Sequence, residues 1–459
     1  MWYHYIWVYF CSMRNNYLKF ISELSKIFHK KFGNIWWYSL IHEKNTTKTN
    51  TYHNLVKNIY PIIPKFIILK SFYNAIKKYF IFLVRYILFN FNSKKFSKNN
   101  IRNIAVSYYG NYLDHIIKND SFIKIILPQK NDYKKILKDK NNIVIDRFIN
   151  WYDFIIVFFQ YINSILNFLL LNSLLKEAMN DFGFKWFCRD WNYRDNYYDF
   201  FKEDTWRSFV GDVLIEGLFY ERAFRNLHKS FLEARKIYYV YEGQAWEKAL
   251  CIAFKNKAEI HAILCSTPGI NIMTYFYDKE EVKIMPFPDK IGVLGQITYD
   301  IFKEYYGDRC YISGAGRFDY LKEVIKKEYE KDNLITVISP SNNDQNKELI
   351  KFVDRYNFRN CELFFKVHPD NNKQIDNINL NSILEKSKFV VALDSSVCLE
   401  ALAYGCIIII PELKSYVNMS PLMQIGDSLY YKDFQENMIV NIKENKKFIE
   451  KYFKFNKKG

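Results

Sequence analysis

Short apolar runs alternate with helix-like stretches through most of the chain beyond residue 100. RNIAVSYY, FIKIILP, NNIVID, KIYYVYEG, EIHAILC and KIGVLG recur in the middle of the sequence, and LITVISP, CELFFKVHP, FVVALD and CIIIIP in its last third. Each run is rich in β-branched or aromatic residues and is bounded by polar loops, which predicts a strand. Continuous apolar strands separated by helical crossovers predict parallel sheets covered by helices on both faces. Residues 1–98 lack such runs and read as helical, basic and aromatic. The stretch YILFNFNSKKFSKNN, ending at Asn100, shifts to serine, lysine and asparagine and reads as a linker.

The pattern divides the 459 residues into three parts. A helical basic region covers 1–98, a first α/β unit 99–318 and a second α/β unit 319–459. The expected class is α/β, with two Rossmann-like domains facing one another behind the N-terminal helices. The length suffices for sizeable cores in each.

Charge adds a partner to this picture. The formal net charge is +17, with basic residues concentrated in 65–103 and 443–458. No nucleic-acid-binding aromatic strand or zinc-finger spacing occurs, so no nucleic acid is expected and an anionic membrane surface is the expected partner. The segment PKFIILKSFYNAIKKYFIFLVRYILFNF, from Pro64, carries Lys70, Asn74, Lys77, Lys78 and Arg85 at helical spacing. That suits a helix lying on a membrane or against the protein body rather than a span. In the second apolar stretch, Phe154 to Leu175, Gln160, Asn163, Ser164 and Asn167 share a face and predict a mostly buried helix. The N-terminus lacks an early basic region and a small-residue cleavage site, so no secretory signal is expected. The eight cysteines include no CxxC pair. Cys398 and Cys406 fall in apolar positions and read as reduced core residues of a cytoplasmic protein, peripheral at the inner face of the plasma membrane.

Ligands of open parallel sheets bind beyond the carboxyl ends of the strands. In the second unit this selects the loops at Ser339-Pro340-Ser341-Asn342-Asn343, His368-Pro369-Asp370, Asp394-Ser395-Ser396 and Pro411-Glu412. Ser395 or Ser396 can cap the following helix and donate to an anion at its first amides, or act as a cap alone. Lys366 and His368 share one side of their strand, and Pro369 stiffens the backbone before it. His368 thereby becomes a cation or donor for a leaving phosphate. Glu400, one turn into the helix, is suited to ribose hydroxyls, or is an exposed helix carboxylate. Ser341 and Asn342 complete the expected donor-binding set.

In the first unit, Glu242 ends a strand before Gly243 and a helix. A carboxylate there can take the proton of an attacking hydroxyl, or can cap the helix. Trp246 shares a helical face with Leu250 and reads as core, while Glu247 is placed in the cleft. SYYGNYLDH, from Ser107, follows the first strand and is positioned to touch an acceptor. SGAGRFDYL (Ser313 to Leu321) reads as a hinge, in preference to phosphate contact by Arg317. No DxD-type acidic pair is present, and DKEEVK, with Asp278 and Glu280, reads as a solvated loop. Neither metal nor cofactor is expected.

These residues carry a resemblance. KVHP, the Ser-Ser loop and SSVCLEALAYGCIIIIP are similar to the donor domain of GT-B glycosyltransferases. The paired His-Pro and Ser-Ser motifs resemble those of bacterial sialyltransferases and Kdo transferases, which use CMP-activated sugars, and those of CDP-glycerol glycerophosphotransferases. WWYSLIHEKNT, from Trp36, and YEGQAWEKAL, from Tyr241, resemble bacterial surface carbohydrate (polysaccharide) biosynthesis proteins. Tyr241-Glu242-Gly243 matches half of a two-acid acceptor-domain motif, with tyrosine in place of the first acid. The resemblance implies a GT-B-type glycosyltransferase that moves a sugar from a nucleotide-sugar donor to a surface polysaccharide or lipid-linked glycan acceptor. A CMP-sugar is the favoured donor, Glu242 and His368 the expected catalytic pair. The alternatives are a CDP-glycerol-type transferase, a sugar-nucleotide epimerase, or a non-catalytic scaffold of a polysaccharide assembly complex.

Overall fold

The structure, a computed structural model, describes residues 2–46, 49–57, 59–108, 113–116, 122–128, 143–187, 196–340, 342–356, 361–368, 379–393, 395–411, 413–424, 430–431, 437–440 and 445–455, apart from 92–100. Five helices come first: α1 (Trp2–Phe32), α2 (Asn34–Tyr38), α3 (Leu40–Glu43), α4 (Thr51–Lys57) and α5 (Ile67–Phe91). The first sheet contains β1 (Asn103–Ser107), β2 (Phe122–Ile126), β3 (Ile143–Val144), β4 (Lys236–Tyr241), β5 (Glu259–Leu264), β6 (Lys290–Val293) and β7 (Cys310–Ile312). Between β3 and β4 the chain runs through α6 (Trp151–Phe187), α7 (Tyr197–Phe209) and α8 (Asp212–Ser230). Then α9 (Ala245–Phe254) follows β4, α10 (Lys279–Ile284) follows β5 and α11 (Gln296–Tyr306) follows β6.

The strand order is β3-β2-β1-β4-β5-β6-β7, parallel throughout. The chain leaves β1 toward one edge and returns to β4 on the other side, so the topological switch lies between β1 and β4. The second unit begins with α12 (Leu321–Val324) and contains β8 (Asp332–Ile338), α13 (Asn343–Tyr356), β9 (Glu362–Lys366), α14 (Leu380–Lys386), β10 (Ser387–Val391), α15 (Val397–Ala403) and β11 (Ile407–Pro411). Four parallel strands in the order β9-β8-β10-β11 are extended by antiparallel β13 (Asn437–Val440) and β12 (Tyr430–Tyr431). The closing helix is α16 (Asn445–Tyr452). All the strands expected from the apolar runs form, and both sheets are compatible with Rossmann-like units.

Side-chain alternation sorts the core. On β4, Ile237, Tyr239 and Tyr241 enter the main core, whereas Val240 joins Ala105, Ile263 and Cys265 in a smaller one on the opposite face. Cys398 and Cys406 are buried thiols outside any disulfide, as their apolar setting predicts.

The N-terminal helices are not an appendage. Phe20, Leu24, Phe28, Trp36 and Phe82 belong to the same core as the first sheet. Phe20 packs on Phe201 (5.1 Å) and Phe82 stacks on Phe219 (4.5 Å). Arg85 turns inward to pair with buried Asp146 at 2.7 Å.

The expectation of a mostly buried helix over Phe154–Leu175 is overturned. α6 buries Phe154, Val157, Tyr161, Ile165 and Phe168 but leaves Phe158, Phe159, Leu166, Leu169 and Leu170 exposed. The apolar part of the helix is wider than the face the protein covers, so the polar stripe at Gln160, Asn163 and Asn167 marks only part of its exposed side.

The two units meet through loops beyond their carboxyl edges. A Cβ at Gly269, in the loop after β5, would collide with the Met419 carbonyl beyond β11. Asn271 Nδ2 donates to Asn418 O at 2.6 Å. The C-terminal end returns to the first unit, where Lys454 N donates to Leu294 O at 2.8 Å and Phe453 stacks on Phe318 at 4.5 Å.

His53 of α4 ties the N-terminal helices to the second unit. Its Nδ1 accepts from Val417 N at 3.1 Å, and its Nε2 donates to Thr46 O at 2.8 Å. This pair of bonds requires a neutral ring. Burial, helped by Lys57 and opposed by the Thr46 bond, lowers its pKa from 6.5 to about 4. A depressed pKa gives a contribution that is full above 6.5 and is lost as pH falls toward 4. Urea unfolding of His53→Ala against wild type should therefore give a stability loss smaller by about 2 kcal/mol at pH 5 than at pH 7. A loss independent of pH would show that the ring is not held neutral.

Candidate functional site

At the switch point of the first sheet, Tyr108 follows β1 and Glu242 follows β4. Alternation along β4 puts Glu242 on the same side as Val240, the face of the smaller core. Gln244 bridges the two strand ends: Tyr108 Oη donates to Gln244 Oε1, and Gln244 Nε2 donates to Glu242 Oε2 at 2.6 Å. The segment from Ser107 thus reaches the site through Tyr108. The Glu242 charge adds to burial in pushing the Cys265 thiol, at the end of β5, up to about 12.

The turn that carries Glu242 is fixed from behind. Gly243 has φ +73°, and a Cβ there would collide with the Thr274 carbonyl. Glu247 Oε1 accepts from the backbone N–H groups of Glu242 and Gln244, each at 2.9 Å. Glu43, from the HEKNT segment, accepts from Ala245 N at 3.3 Å and from Asn45 Nδ2 at 2.6 Å. The first amides of α9 are therefore served by Gln244, Glu247 and Glu43, and the alternative of Glu242 as the helix cap is not what forms.

Two expectations are corrected here. Glu247 does not line a cleft; it has no exposed surface, and burial pushes its carboxyl up to about 8. Trp246 does lie in the core, against Tyr239 (5.7 Å) and Phe224 (6.2 Å). DKEEVK is only partly solvated. Asp278 caps α10, accepting from Glu280 N at 2.9 Å, but Glu281 is completely buried. It lies 3.3 Å from His42 Nε2 and 3.6 Å from Lys44 Nζ, and accepts from Ser25 Oγ at 2.9 Å. Burial opposes ionisation of Glu281, yet Lys44 and His42 hold its carboxyl down to about 2. Burial and the nearby lysines leave His42 neutral, at about 4. No group of three or more candidate metal ligands occurs among the described residues.

The second half-site lies around α15. Ser395 Oγ accepts from Val397 N at 3.2 Å, which is a capping bond, and Ser396 Oγ donates to Glu400 Oε1 at 3.4 Å. Tyr320 Oη donates to Glu400 Oε2, a contact between positions 80 residues apart that no local pattern marks. Asn342 Oδ1 accepts from Asp344 N (2.9 Å) and Gln345 N (3.2 Å) and caps α13. Lys366 and His368 lie half-buried at the carboxyl end of β9. Ser341 and Pro369 lie outside the described residues. The His-Pro and Ser-Ser loops do not follow neighbouring strands. β8 lies between β9 and β10, because the chain steps outward from β8 to β9 and crosses back. Strand spacing then separates the two loops by roughly 10 Å.

Arg317 connects the halves electrostatically. It sits exposed in the 3₁₀ turn Gly316–Phe318, and its charge acts both on Cys265, beside Glu242, and on Tyr320, beside Glu400. His115 lies against Gly316 at the same edge. A small pocket beyond β10 and β11 is lined by Gln345, Leu393, Pro411, Tyr416, Asn418 and Met419. The arrangement offers a carboxylate at the edge of the first unit, hydroxyls and a second carboxylate at the start of α15, and a cation in the turn that leads from one unit to the other. No protein-family model matches the chain, and no curated protein is significantly similar to it.

Gly243→Ala should destabilise the protein by about 2–4 kcal/mol in urea unfolding, since both the backbone angle and the Thr274 carbonyl oppose a side chain. A loss below about 0.5 kcal/mol would mean that the turn is free to move.

Proposed function

We propose that the chain is a GT-B-type glycosyltransferase that takes a sugar from a nucleotide-activated donor and places it on a surface polysaccharide or lipid-linked glycan. The observation that carries the reading is the meeting of two α/β units through the loops beyond their carboxyl edges, with Glu242 at the carboxyl edge of one sheet and Glu400 on the helix that follows β10 of the other. Such a junction lets one unit hold the activated donor and the other the acceptor, with water excluded between them.

In this reading Glu242 is the base. Its Oε2 is oriented by Gln244, and Tyr108 orients Gln244 in turn. The carboxylate takes the proton of the acceptor hydroxyl as that oxygen attacks the anomeric carbon. The bond from that carbon to the nucleotide phosphate breaks, and the phosphate leaves with the electron pair. His368, Lys366 and the Ser395–Ser396 loop bind the donor phosphate, with Ser341, Asn342 and Pro369 completing the donor side. Arg317 adds positive charge for the departing phosphate. Glu400, positioned by Tyr320 and Ser396, binds the ribose. The donor is a substrate, and no cofactor takes part. A CMP-sugar is favoured through the resemblance of the His-Pro and Ser-Ser motifs. Basic composition supports a cytoplasmic protein held peripherally at an anionic membrane.

Thermal-shift titration with CMP, CDP, UDP and GDP tests the donor assignment, with stabilisation by CMP expected. A preference for UDP or GDP sinks the CMP assignment, and no response to any nucleotide sinks the transferase reading. Arg317→Ala and His368→Ala should each weaken nucleotide binding about tenfold or more. Glu242→Gln should keep nucleotide binding while lowering transfer by on the order of 10²–10⁴-fold. Transfer at the wild-type rate would remove Glu242 from the mechanism.

A further inference from the structure

We propose that α5 and α6 form a two-helix platform that beds side-on into one leaflet of an anionic membrane. The inference rests on the peripheral location proposed above and not on the transferase chemistry. On α5 and the turn before it, Phe66, Leu69, Tyr73, Ile76, Phe80, Val84 and Ile87 are all exposed, three or four residues apart, and so form one stripe. Phe66 is 71% exposed and Leu69 66%. On α6, Ile155, Phe159, Ile162, Leu166 and Leu170 form a second stripe, with Phe159 66% and Leu170 77% exposed. Tyr79 and Tyr86 of α5 pack on Phe154 of α6 (5.8 and 5.4 Å), which brings the two stripes together. From Trp151 to Leu175 the one charged residue is Asp153, which is buried and paired with Arg222 at 2.7 Å. Monomeric soluble proteins rarely leave apolar surface of this extent to water, and where they do it marks an interaction site.

The occupant follows from charge and from the other side of α6. Lys65, Lys70 and Lys77 lie exposed along α5 and the turn before it, Lys70 at 3.6 Å from Glu203, while Lys78 pairs with Glu216 and Arg85 with buried Asp146; the chain carries a net charge of +17. A second copy would bring the same cations against them, whereas an anionic leaflet attracts them. α6 is long and apolar enough to span a bilayer. However, Val157, Phe168 and Leu175 are committed to the protein core, and Tyr161 Oη donates to Val210 O at 2.8 Å. A side-on contact gives lipid only the face that the protein leaves bare.

Co-sedimentation of the full chain with phosphatidylcholine vesicles, with and without phosphatidylglycerol, tests this. Binding is expected only with phosphatidylglycerol, and Phe159→Asp/Leu170→Asp or Leu69→Asp should weaken it by on the order of tenfold or more. These side chains are exposed, so the variants should unfold at the wild-type temperature and keep any nucleotide response. Absence of binding to either vesicle, or unchanged binding in both variants, overturns the proposal. So does a dimer, seen by light scattering, that the same substitutions dissociate. Nucleotide response without vesicle binding would sink the platform alone. Vesicle binding without nucleotide response would sink the transferase alone.

Discussion

A carboxylate with no access to water must be met by compensating charge or hydrogen bonds within the protein, or it does not stay ionised. Glu281 is such a group, and Lys44, His42 and Ser25 meet it from a part of the chain more than two hundred residues away. The compensation works only if α1, α3 and the turn after α3 lie flat on the first sheet's helices. Lys44 also sits over the Tyr277 ring at 3.7 Å, and Lys248 at 4.8 Å from the same ring. Removing one partner would leave buried charge unmatched, which costs far more than the pair contributes when whole. The joint therefore selects a unique docking of the N-terminal helices rather than merely adding cohesion.

That docking reaches the candidate site directly. Glu43 lies beside His42 and Lys44 in sequence and serves the first amide of α9, while Glu247 holds the amides of Glu242 and Gln244. The turn bearing Glu242 thus has its backbone donors satisfied from two sides, and its side chain is left to Gln244 and the junction. HEKNT and YEGQAWEKAL, far apart in sequence, turn out to be two faces of one contact. Support of this kind fixes the position of the turn from which the carboxylate projects.

The strands were legible because β-branched apolar runs bounded by turns leave few other solutions, and the carboxyl-edge rule located Glu242 and the Ser395–Ser396 loop. Lateral order was not legible. Nothing in CELFFKVHP reveals that its strand sits on the parallel edge with β8 between it and β10. Burial of charge was misread at Glu281, because the surrounding Asp278, Lys279, Glu280 and Lys283 give a local composition that looks solvated. The partner that overrides this reading lies in another segment, beyond the reach of any local pattern. α6 differs for another reason: its apolar residues span more than the face the protein covers, and periodicity does not say which of them stay bare. Tyr320 and Gln244 were missed because their roles consist of contacts with other elements.

The bond from Val417 N to His53 joins residues 364 positions apart. As the ribosome releases this chain, α4 emerges long before the segment that donates to it, and Glu281 likewise follows Lys44 after a long delay. The aromatic N-terminal helices must therefore wait, partly uncovered, for the middle and the end of the chain. Loop closure over such separations is slow compared with local helix formation. The contacts that complete the N-terminal helices therefore form late, and until then those helices expose surface of the kind that chaperones cover.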